Sequence, residues 1–156
     1  MDYLEKLFRT DESSGPLVLR LMLGLVIFPH GAQKLLGWFG GHGFEGTLGF
    51  FTQTVGVPMV IAFLIIMGEF FGSLGLMAGF LTRFSAVGVL CIMLGAVSMV
   101  HWPNGFFMNW SGKAPGEGFE YHLLAIGMAV ALIISGGGKF SLDRWVSQTF
   151  LQKRED

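Results

Sequence analysis

His30, Gln33 and Lys34 stand at i, i+3 and i+4 in the apolar stretch LVLRLMLGLVIFPHGAQKLLGWF, residues 17–39, so on a helix they share one face. Imidazole, amide and ammonium groups together offer hydrogen bonds and a positive charge to a carbonyl or an anionic head group. Glu69 is the one charge inside a second apolar stretch, and His101 follows a third. A carboxylate and an imidazole can take and return protons, which makes Glu69 and His101 the candidate catalytic groups. The candidate ligand-binding groups are His30, Gln33, Lys34, then Asn104 and Asn109 beyond His101, and Glu120 and His122 at the head of a fourth apolar stretch. Polar groups are expensive in lipid, so they should face a protein interior or a wet cavity.

The same residues admit plainer readings. Lys34 and Glu69 pair and fix helix register, or Arg20 extends to the cytoplasmic head groups and Arg83 marks a topology-setting turn. His101 and His122, each next to an aromatic at a span end, serve as interface anchors, with Trp38, Trp102 and Trp110 in the outer aromatic belt and Trp145 in the inner one. A metal set from His30, Glu69, His101 and His122, with His42 in reserve, is disfavoured because Glu-x-x-His and His-x3-His spacings are absent. No metal site is expected. The Gly-Gly-His-Gly piece at 40–43 lacks the strand and helix start of a dinucleotide fingerprint.

The elements that must position these groups are helical and membrane-spanning. Only 13% of the 156 residues are charged, 52% are apolar, and the mean hydropathy is +0.60. The apolar residues come in long runs without strand-like alternation. A net charge of −1 gives no support to nucleic-acid binding. Spans are expected at about 17–39, 57–81, 84–100 and 121–135, in one domain covering 1–156. Pro29 predicts a kink before His30. Gly68, Gly72, Gly75 and Gly79 repeat at helical spacing and predict close helix packing around Glu69. Residues 1–16 read as an amphipathic segment ended by Ser13, Ser14, Gly15 and Pro16, and no cleavable signal peptide is expected. Residues 40–56 form a glycine-rich connection, and 101–119 a second one rich in aromatics. Residues 136–156 read as a glycine stop followed by an amphipathic cytoplasmic tail with Ser141 as N-cap. Cys91 is the lone cysteine; it rules out an intramolecular disulfide and a self-contained dithiol relay, and its setting in VGVLCIMLGAV predicts a small core residue.

Lys and Arg set the expected orientation. Lys6, Arg9, Arg20, Arg83, Lys139, Arg144, Lys153 and Arg154 fall on one side, whereas the two long connections hold only Lys113, with Lys34 at an edge. The positive-inside rule puts both termini in the cytoplasm and both connections outside. The polar residues then converge on the outer half of a four-helix bundle.

PHGAQKLLGWFGGHGFEGTLGFF at 29–51, GEFFGSLGLMAGFLTR at 68–83, HWPNGFFMNW at 101–110 and GKFSLDRW at 138–145 resemble, in order, the DoxX family. The resemblance implies a small all-α, four-span protein of the bacterial inner membrane. Family members are named as oxidoreductase subunits, by extension from a thiosulfate:quinone oxidoreductase subunit and from a membrane complex linked to oxidative and thiol stress. It places His30, Gln33, Lys34 and Glu69 in the family pattern without assigning their roles.

Two functions of different class remain. In the first the chain is a quinone-linked oxidoreductase or a membrane subunit of one, with a quinone held by His30, Gln33 or Lys34 and protons moved by Glu69 or His101. The sequence has no haem, flavin or iron–sulfur motif, so electrons come from the substrate or a partner. In the second it is a non-catalytic scaffold or a lipid- or small-molecule-binding subunit, with the two connections docking a partner protein. Membrane lipid is an expected contact in both, and a homo-oligomer is compatible with both. A transporter is less favoured, because four spans are few for alternating access and no internal repeat is visible.

Overall fold

The computed structural model describes residues 3–10 and 12–151, and every regular element among them is helical. Lys153 and Arg154, counted above for orientation, lie outside the described residues. The helices are α1 (Tyr3–Phe8), α2 (Gly15–Leu36), α3 (Gly43–Gly49), α4 (Met59–Ala78), α5 (Thr82–Ala96), α6 (Glu120–Ser135) and α7 (Leu142–Val146). Three helical stretches are long and apolar enough to cross a membrane: Gly15–Leu36, Met59–Ala78 and Thr82–Asn104, the last being α5 prolonged by irregular helical turns. α6 has 16 residues, about 24 Å at 1.5 Å per residue, and is the short member of the set.

The ends of these helices have local causes. α2 opens with Pro16 in its first turn, where a missing N–H costs nothing, and runs through Pro29. It stops at Gly37, whose left-handed φ of 73° suits glycine. α4 begins just after Pro58 and ends at Gly79, φ 66°. A Cβ on Gly79 would lie 2.5 Å from Ser141 Cβ and 3.1 Å from Arg20 Cζ, so only glycine fits that turn.

α2 packs along α4 and α6, and α5 packs along α4 and α6, closing a four-helix ring. Neighbours run antiparallel, as the pairs Arg20 with Leu76, Lys34 with Glu69, and Arg83 with Ile134 show. The core is Leu23, Ile27, Leu76, Ala86, Val89, Met93, Ala125, Ala129 and Leu132. The closest backbone approach between α2 and α4 is at Gly24 and Gly31, where an added Cβ would meet Ser73 O at 2.9 Å and Phe70 N at 2.6 Å. On α4 the expected glycine repeat turns toward α5 instead: Gly68 meets Ile92 and Gly75 meets Ser85. The outer helix faces carry exposed Val18, Met22, Leu25, Phe63, Phe84 and Ile134, which is the surface lipid covers.

Two expectations, for Arg20 and Cys91, need correction. Arg20 does not extend to the head groups; it is 2% exposed. Its Nε donates to Gly137 O (2.9 Å), Nη1 to Leu76 O and Met77 O, and Nη2 to Lys139 O and Phe140 O. Five donors in a fixed fork thus meet carbonyls at the end of α4 and in the segment after α6, which is why burial is tolerated. Arg83, half-buried beside the turn between α4 and α5, also donates to carbonyls, those of Ile133 and Ile134 at the end of α6 and of Arg9. Cations at helix C-termini complement the helix dipole. Cys91 is exposed rather than in the core, because α5 turns Val89 and Met93 inward and Cys91 away.

The C-terminal segment completes this end. Ser141 caps α7 as expected, its Oγ accepting from Arg144 N at 3.2 Å. Asp143, 1% exposed, accepts from Leu81 N (2.6 Å) and Thr82 N (2.8 Å). α5 starts after Leu81, which has no side-chain acceptor, so Asp143 of α7 supplies its cap from 61 and 62 residues further along the chain. Burial pushes the Asp143 carboxyl above its ordinary range, against hydrogen bonds from Thr82 and Leu81 and the charge of Arg20.

Candidate functional site

Antiparallel packing brings the C-terminal end of α2, the end of the helix that α5 begins and the start of α6 to one end of the bundle. Lys34, in the last turn of α2, has its Nζ 2.6 Å from Glu69 Oε2 on α4. Glu69 shares the inward face of α4 with Ala62, Ile66, Ser73 and Leu76, so its carboxylate is desolvated and paired. The side chains are 24% and 7% exposed, which leaves the ammonium partly open to the adjoining space.

Across the bundle, the His101 and His122 rings lie 4.1 Å apart between centroids. His101 Nδ1 is 2.9 Å from Glu117 O. The Tyr121 ring is 5.3 Å from His122 and 6.5 Å from His30, linking the two sides. Two polar atoms here, the Tyr121 hydroxyl and His122 Nδ1, are buried without a hydrogen-bond partner. Such atoms are rare in folded proteins and ask for an explanation.

These groups line one cavity of about 1530 Å³, which includes His30, Gln33, Lys34, Glu69, His101, Tyr121 and His122. From the polar end it continues along the α4–α5 seam as an open-sided apolar groove past Gly72, Gly88, Cys91 and Phe84. His42, which follows the glycine pair at 40–41, also lines it, as does the largely buried Thr47 on α3. Gln33 additionally donates to Phe39 O at 3.3 Å. Among the described residues, no three His, Cys, Asp or Glu side chains are arranged to hold a metal ion.

The structure places the remaining candidates elsewhere. Asn104 Nδ2 donates to Glu117 O at 3.1 Å, and the Asn109 side chain exchanges bonds with Ala114 N and O. Glu120 Oε1 accepts from Met108 N and Trp110 Nε1. All three brace the 105–119 connection, which roofs the polar end, and none lines the cavity. Tyr121 and Glu117 also line the cavity, and no spacing signal in the sequence marks either: Tyr121 opens an apolar span and Glu117 lies in a polar connection.

The sequence model of the DoxX family matches residues 15–102, from the start of α2 into the last turn of the third long helical stretch. The chain belongs to the DoxX family. This DoxX-family chain is 30% identical over 132 residues to a Bacillus subtilis protein named "Putative oxidoreductase CatD", covering 85% of this chain and 87% of the relative. It is 27% identical over 137 residues to the Escherichia coli protein named "Inner membrane protein YqjF", covering 88% and 95%. No solved structure matches this DoxX chain significantly. Family membership and the three long apolar helices make it a multi-pass, all-α membrane protein.

Proposed function

We propose that this protein is the membrane subunit of a quinone-linked oxidoreductase of the bacterial inner membrane, with both termini cytoplasmic. The observation that carries the reading is that Tyr121 and His122, whose Oη and Nδ1 are buried without a hydrogen-bond partner, are residues of the same cavity that the Lys34–Glu69 pair lines. A quinone ring presents carbonyl oxygens that take hydrogen bonds, and its reduction consumes two electrons and two protons. In this reading the Tyr121 hydroxyl, the Lys34 ammonium and His30, all on residues that line the cavity, hold those oxygens. Glu69 and His101 are the proton-exchanging groups, and His101 is the one that reaches the outer connection, through Glu117 O. Electrons come from a partner subunit or its reduced substrate. The relatives named as an oxidoreductase and an inner membrane protein support this reading.

The test is extraction of the purified protein with organic solvent, followed by identification of bound small molecules by absorbance and mass. A stoichiometric quinone, lost in Lys34→Met and Tyr121→Phe proteins that still fold, supports the assignment. A retained phospholipid with no quinone overturns it in favour of a scaffold or lipid-binding subunit. That second reading has its own support in the exposed Trp102, Phe107 and Trp110 of the outer connection, a surface suited to a partner protein or the membrane interface.

A further inference from the structure

We infer that the apolar groove along the α4–α5 seam holds the hydrocarbon tail of the ligand, so that the site takes long-tailed isoprenoid quinones entering sideways from the bilayer. This rests on the quinone reading above and extends it from the ring to the substrate class.

The glycines of the bundle divide into two kinds. At Gly24 and Gly31 the missing side chain lets α4 approach, and an added Cβ would clash with backbone. At Gly88 and Gly95, seven residues apart on one face of α5, an added Cβ would meet nothing within 4 Å. A glycine inside a helix weakens it unless something else needs the space. No neighbouring side chain uses the space at Gly88 or Gly95, and both line the cavity. Gly72 on α4 adds a third notch, its nearest neighbour being Ser85 O at 3.9 Å.

The groove also has direction and an end. Phe84, Gly88, Cys91, Gly95 and Met99 line it at helical spacing, a run of about 22 Å at 1.5 Å per residue. That length exceeds a ring and suits an extended chain. At its polar end the same cavity reaches His122, which is 6% exposed and has no partner for Nδ1. A transmembrane helix, at about 10 Å across, would cover the glycine notches but is too wide to enter the polar end of the cavity, where Lys34, Glu69 and His122 line the wall. A single molecule with a polar ring and a thin apolar tail satisfies both ends.

The experiment compares binding of menadione and of a menaquinone, the same ring carrying an isoprenoid tail, to the full chain in quinone-free lipid nanodiscs. The proteins are wild type, Gly88→Leu, Gly95→Leu and Gly127→Leu. Gly127 is equally open but lies on α6 outside the cavity, so it controls for added helix propensity and bulk. A leucine in the notch displaces the tail into lipid and removes its van der Waals contacts with the groove wall, and about ten such contacts at roughly 0.1–0.2 kcal/mol each make about a tenfold loss. The expected result is therefore at least that loss for menaquinone in Gly88→Leu and Gly95→Leu, with menadione affinity and Gly127→Leu unchanged. Equal loss for both quinones, or unchanged menaquinone affinity in the groove variants, overturns the tail assignment while leaving the ring site standing. Unchanged affinity together with an altered oligomeric state gives the groove to a second helix and also overturns it. If wild type binds neither quinone, the ring reading fails and the tail assignment with it.

Discussion

The His101 and His122 rings lie 4.1 Å apart, but Nδ1 of His101 is bonded to Glu117 O in the 105–119 connection while Nδ1 of His122 is buried and unpaired. A buried polar atom without a partner costs about 1–3 kcal/mol. The His122→Phe protein is therefore expected to be as stable as wild type without ligand, or more stable by about 1 kcal/mol, while losing quinone binding. Thermal unfolding in detergent and equilibrium binding check the two halves. A loss of stability with binding intact would mean that His122 is only a packing residue.

Lys34 and Glu69 make a pair with one deeply buried partner. Removing one member leaves an uncompensated charge, at a cost of about 3 kcal/mol. Glu69→Gln and Lys34→Met are each expected to be destabilised by roughly that amount, and the double variant to recover more than half of it. Ligand binding should stay lost in the double variant, because a brace can be replaced by apolar packing and a head-group contact cannot. Recovery of both stability and binding in the double variant reduces the pair to a brace.

Arg20 donates to five carbonyls in a planar fork, so lysine, with three donors on a point charge, is not a conservative replacement. Arg20→Lys is expected to lower stability by about 2–3 kcal/mol. Asp143→Ala, which uncaps α5 at Leu81 and Thr82, should cost about 2 kcal/mol. Both act far from the polar end, so menadione affinity should hold in the folded fraction; unfolding curves and binding on the same samples separate the two effects.

Cys91 is the only cysteine and lies exposed on the groove. A membrane-permeant maleimide should label the folded protein to one equivalent, and saturating menaquinone should slow the labelling about tenfold. Labelling that requires denaturant would return Cys91 to the core.

The amount legible in the sequence differed from element to element. The apolar runs fixed the existence of the long helices, because lipid permits a spanning chain no other way to satisfy its backbone. Spacing put His30, Gln33 and Lys34 on one helix face, and the paucity of other intramembrane charges made Glu69 the obvious partner for Lys34. Ser141 was readable as a cap because capping is local.

What only the tertiary structure decided involves partners far apart in the chain. Arg20 reads as a head-group residue until the carbonyls of 137, 139 and 140 arrive beside it. Cys91 reads as core until the rotation of α5 is known, since an all-round apolar helix carries no signal of which face is inside. The same blindness hid the groove: Gly88 and Gly95 look like packing glycines, and only the assembled bundle shows that a Cβ at either would meet nothing within 4 Å. Composition and periodicity are properties of one helix, whereas burial, orphaned polar atoms and cavities belong to the helices together.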